Sequence, residues 1–132
     1  MKKLLLIIFT FITILSSNAQ EYYFETSQFA YKVKYSGYWT DWTDWEDSKL
    51  LITINLDTDV IAIYSPSLQV YQITKYIQDY EDEGGGYQKE YAFIDQDLKR
   101  GIIRLRKENT GNSQVYVEYD DAMWVYNVKR IR

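Results

Sequence analysis

Histidine and cysteine are both absent from this 132-residue chain, and proline occurs once. Those two absences exclude a Ser-His-Asp or Cys-His nucleophile, a His-ligated metal and a thiol redox centre. With no cysteine there is no disulfide, so burial and hydrogen bonding carry all the stability. A basic stripe is missing as well. Nineteen acidic residues outnumber fifteen basic ones, which makes nucleic acid a poor partner. No stretch has the length and period of a long helix. What the chain does have is aromatic mass: fourteen Tyr, five Phe and four Trp.

The first residues carry an address. Met1-Lys2-Lys3 is a short basic start, Leu4 to Leu15 is an almost unbroken apolar run, and Ser17-Asn18-Ala19 puts small residues where a signal peptidase reads. This pattern predicts a secretory leader over residues 1–19. The apolar run falls short of the roughly 20 residues a spanning helix needs. No cysteine follows the expected cut, so the lipoprotein route is excluded. The expectation is a single exported domain over residues 20–132, soluble, periplasmic or extracellular, with no integral membrane segment left after cleavage.

Residues 38–47 read YWTDWTDWED. Trp39, Trp42 and Trp45 recur every third residue, a period that suits neither a strand nor a long helix. Two readings stand side by side. Indole rings bury a large area, so such a segment makes a good lid or plug for a small barrel. Exposed indoles also stack on the apolar face of a sugar, which makes Tyr38, Trp39, Trp42 and Trp45 candidate ligand contacts. The W-x-x-W-x-x-W spacing resembles that of thrombospondin type 1 repeats, but those modules are disulfide-bonded.

The rest of the chain alternates at period two. Residues 20–27 read as a lead-in, and from Phe29 the apolar Phe29, Tyr31, Val33 and Tyr35 alternate with Lys32 and Lys34. Further strands are expected over 49–56, 60–64, 68–79 with a bulge near Val70 and Tyr71, 87–94, 100–107, 114–119 and 123–131. Turns fall between them at about 8–12-residue spacing. Short connections imply antiparallel neighbours, so the fold class is all-β: an up-and-down meander of about eight strands closing into a small barrel. A β-sandwich is the alternative, though its crossovers usually need longer loops.

Remaining chemistry is sparse. Glu81-Asp82-Glu83 with Gly84-Gly85-Gly86 reads as a flexible acidic hairpin tip, and Asp57-x-Asp59, Asp95-x-Asp97 and Asp120-Asp121 as turns. None matches an EF-hand loop, and no metal or cofactor is expected. Arg104, Arg106 and Lys107 form a basic cluster expected to face solvent and pair across strands with acids. An anion or acidic-glycan contact is a lesser reading of that cluster. Paired carboxylates could in principle hydrolyse a glycoside, which leaves a hydrolase as a distant alternative.

The succession of GYWTDWTDWED (37–47), KLLITINLDTDVIAIYS (49–65), VYQI (70–73) and VYVEYDDAMWVYNVK (115–129) resembles a group of small exported bacterial all-β proteins of unknown function. The architecture also looks like that of lipocalins and other calycins, with Gly37-Tyr38-Trp39 an approximate counterpart of their early Gly-x-Trp. The sequence therefore leads to a non-catalytic binding module for a glycan, a small apolar ligand or an envelope protein. The alternative is a structural or accessory domain whose tryptophans are buried.

Overall fold

The computed structural model describes residues Gln20–Arg132; the expected leader, 1–19, lies outside them. Ten strands follow in order: β1 (Glu21–Tyr35), β2 (Tyr38–Trp39), β3 (Glu46–Asp47), β4 (Leu51–Asn55), β5 (Val60–Tyr64), β6 (Gln69–Glu81), β7 (Tyr87–Asp95), β8 (Arg100–Lys107), β9 (Ser113–Glu118) and β10 (Ala122–Arg130). Strands β4 to β10 pair with their sequence neighbours, β1 pairs with β4 on one side, and β1 and β10 join the two ends. Every pairing is antiparallel, so the result is a closed eight-stranded up-and-down barrel with β2 and β3 outside it. The β1–β10 seam, from Phe24↔Arg130 to Val33↔Ala122, is what rules out a sandwich.

Alternation fills the interior. Ile52 and Ile54, Ile61 and Ile63, Tyr71 and Ile73, Tyr91 and Phe93, Ile103, Val115 and Val117 form one buried cluster. Isoleucine, valine and aromatic side chains suit a pleated surface buried on one face. One end is sealed by aromatic rings: Tyr71 meets Phe93 edge-on at 4.7 Å, Phe93 meets Tyr119 at 5.3 Å, and Tyr119 meets Trp124 at 5.6 Å. Gly101 sits opposite Phe93 in register. A Cβ there would come within 2.5 Å of both the Phe93 ring and the Glu118 carbonyl oxygen, so glycine is what lets the ring lie flat against β8.

Two local expectations are corrected. Residues 21–27 are strand, not lead-in: Tyr22 and Phe24 point inward opposite Ile54 and Ile52. A bulge between Thr26 and Gln28 shifts the alternation by one residue and hides its continuity with Phe29. In β6 the irregularities lie between Ile73 and Lys75 and between Tyr76 and Gln78, beyond the expected Val70–Tyr71 position. Among the described residues no helix is long and apolar enough to cross a membrane.

Candidate functional site

The tryptophan segment is neither lid nor plug. It runs antiparallel along the outer edge of β1, starting from the β1–β2 turn, where Ser36 and Gly37 both take positive φ. Thr40 N–H donates to the Val33 carbonyl at 2.8 Å, and Thr40 Oγ1 accepts from Val33 N–H at 3.1 Å. Thr43 repeats the arrangement on Tyr31, with distances of 2.9 and 3.0 Å. Glu46 then stands opposite Phe29. Positions 40, 43 and 46 thus meet 33, 31 and 29: three residues of the segment advance for every two of β1. Each threonine hydroxyl supplies the acceptor that the longer repeat takes out of the backbone ladder. The three-residue period is therefore a period-two strand contact read through a repeated bulge, with one indole to each repeat.

Those indoles face the outer wall. Ala30 and Val125 point out of the barrel yet are buried; they stand in register with Tyr116, the residue that the Trp42 ring reaches. Lys32 Nζ lies 5.4 Å from the Trp39 ring centre and 4.7 Å from that of Trp42, and Lys34 Nζ lies 5.2 Å from Trp39. Trp42 meets Tyr116 edge-on at 6.3 Å, and the Arg104 guanidinium sits 4.0 Å above Tyr116. A cation–aromatic stack runs from Lys34 through Trp39, Lys32, Trp42 and Tyr116 to Arg104. Each cation–ring contact at such exposed positions contributes on the order of 0.5–1 kcal/mol. Trp45 stands outside this stack: among the described residues no cation covers its ring, and at 45% exposure it is the most open of the three. Tyr38, 79% exposed, opens β2 opposite Tyr35, at the far end of the row.

Next to Trp45, outward side chains of four strands form a hydrogen-bonded polar row. Asn127 Nδ2 donates to Gln28 Oε1 at 3.0 Å, Gln114 Nε2 to Asn127 Oδ1 at 3.0 Å, and Arg106 to Gln114 Oε1 at 3.1 Å. Arg106 ends the row on Asp82 at 2.9 Å and on Glu108 at 2.9 Å. Asp82 also accepts from Gln88 at 2.8 Å and from the Gly84 and Gly86 amides. Through Asp82 the acidic tip is tied to Arg106 and Gln88. Bonding to Arg106, then to Gln88, lowers the Asp82 carboxyl to about 2, and Asp82 in return raises Arg106. Burial raises the Tyr116 hydroxyl, which donates to Gln114. Arg104 pairs with Glu118 at 2.7 Å, the cross-strand pairing expected of the basic cluster.

Trp45 and the row Gln28, Asn127, Gln114 and Arg106 border one depression of about 970 Å³, which continues over the barrel rim to inward-facing Phe24, Leu105 and Val128. Of the four sequence candidates Trp45 lines it, whereas Tyr38, Trp39 and Trp42 do not. A second, apolar depression of about 390 Å³ lies towards the opposite end, against Phe29, Tyr31, Leu50, Trp124 and Tyr126. Among the described residues no three acidic side chains gather as a metal site would require.

The fold and this surface define a class: a small closed up-and-down β-barrel carrying an aromatic row and an amide row on its outer wall. Compared with known proteins, the chain matches no family model, no curated protein and no solved structure.

Proposed function

We propose that the protein is a non-catalytic, exported carbohydrate-binding module whose ligand lies on the outer wall, stacked on Trp45 and hydrogen-bonded to Gln28, Asn127, Gln114 and Arg106. The observation that carries the reading is the shared depression: an indole with no cation of the described residues on its ring borders a row of amides already bonded to their neighbours. Sugars present an apolar face and a rim of hydroxyls. A fixed ring beside fixed amide donors and acceptors matches both, and little side-chain entropy is lost on binding. Hydrolysis would need two carboxyls across the scissile bond. Among the described residues Glu108 is the only carboxylate bordering this depression, and Arg106 holds it.

The test is calorimetric titration of the chain from Gln20 with a panel of oligosaccharides, in parallel with acrylamide quenching of tryptophan emission. Trp45→Ala is expected to weaken binding at least tenfold, and ligand is expected to shield part of the emission. Equal affinity of the wild type and Trp45→Ala would sink the reading. A second reading, a small apolar ligand in the 390 Å³ depression, is favoured by its wall of four aromatic rings, and ligand quenching of Trp124 alone would select it.

A further inference from the structure

The chain is acidic, yet the border of the larger depression is not. Among the described residues Lys89, Arg106, Lys107, Lys129 and Arg130 line it, against Glu108 alone among the acids. Arg106 is committed to Asp82 and Glu108, which takes that acid out of the balance. The other four cations make no ion pair with any described residue. Their neighbours across the sheet divide them. Lys89 stands opposite Asp79, which also takes the hydroxyls of Tyr76 and Tyr87, and Lys129 stands opposite Glu25. Lys107 faces Tyr87 and Ser113, and Arg130 faces Phe24 with its guanidinium 4.8 Å from the Tyr22 ring. Neither Lys107 nor Arg130 has an acid opposite.

These positions straddle the rim. Lys107 and Arg130 share the inward face with Leu105 and Val128, and Lys129 shares the outward face with Asn127 and the amide row. A neutral saccharide gives such a group nothing to neutralise. Resting on the carbohydrate-binding reading above, we infer that the ligand is an acidic oligosaccharide whose carboxylate or sulfate groups lie over the rim at Lys107 and Arg130 while a sugar ring stacks on Trp45. Opposite charges held on a partly enclosed surface attract more strongly than in open water, and the attraction falls with salt.

Matched pairs test this: oligogalacturonate against its methyl ester, and sulfated against unsulfated cello-oligosaccharide, titrated at low and high sodium chloride. At least one charged member is expected to bind tenfold or more tighter than its neutral twin at low salt, and salt should narrow the gap. Lys107→Gln with Arg130→Gln should erase the gap and leave neutral binding unchanged, while Trp45→Ala weakens both members. Which pair shows the gap separates carboxylate from sulfate. Equal binding of both members of each pair, sensitive to Trp45→Ala, overturns the inference and leaves the carbohydrate reading standing. Charged members bound in a salt-sensitive way without any effect of Trp45→Ala uphold the charge and overturn the stacking. No binding of any member overturns both, and near-UV circular dichroism of each variant verifies that it is folded.

Discussion

Gly101 shows how one residue sets the packing of an entire barrel end. Its missing side chain leaves room for Phe93, which in turn supports Tyr119 and Trp124. Ala at this position must displace either a ring or a strand carbonyl, and overpacking of that kind typically costs about 1–3 kcal/mol. Gly101→Ala is expected to lower the urea midpoint accordingly, without altering the slope of the transition. An unchanged midpoint would show that the ring moves aside freely. Trp45 makes the opposite case at the same scale. Its neighbours Trp39 and Trp42 are held by lysines, and it is the indole left open.

At the scale of the element, the segment over residues 38–47 is attached by two threonines more than by its short strands. Thr40→Val with Thr43→Val keeps the shape and removes both acceptors, leaving the Tyr31 and Val33 amides unpaired. At about 1 kcal/mol for each lost bond, the pair should destabilise the protein by about 2 kcal/mol. Tryptophan emission should move to the red, and amide exchange at Tyr31 and Val33 should quicken. Unchanged exchange there would mean that the indole–lysine stack alone holds the segment. The strands themselves were legible from period-two alternation and turn spacing, since β4, β5, β6, β7, β8, β9 and β10 each start and end close to the ranges expected from the sequence. The bulge after Thr26 hid the first half of β1. The three-residue repeat stayed ambiguous because its meaning depends on a partner strand rather than on its own geometry. The amide row was out of reach for a similar reason. Gln28, Gln114 and Asn127 are unremarkable outward residues until closure sets residues 28 and 127 side by side.

For the whole molecule, the absence of histidine makes pH an informative variable. Asp79, Asp82 and Asp95 have carboxyls held below the ordinary value, each chiefly by hydrogen-bond donors: Tyr76, Arg106 and Tyr119 respectively. Their contribution is complete above the unfolded value of 3.8 and is lost as pH falls towards about 2, where Asp82 protonates. Burial raises Tyr71 and Tyr119, so their contribution is present below 10 and is lost as pH rises beyond it. Thermal unfolding followed across pH should give a broad plateau between those limits, with a fall on each side. A step near neutrality would contradict it. The seam has a consequence in time. β1 lies at the start of the domain and its closing partner, β10, at the very end, so a ribosome must deliver almost every residue before the sheet can meet itself. Until then β1 has only β4 and the neighbouring indole segment beside it, and the row of hairpins stays an open sheet until its last strand is made.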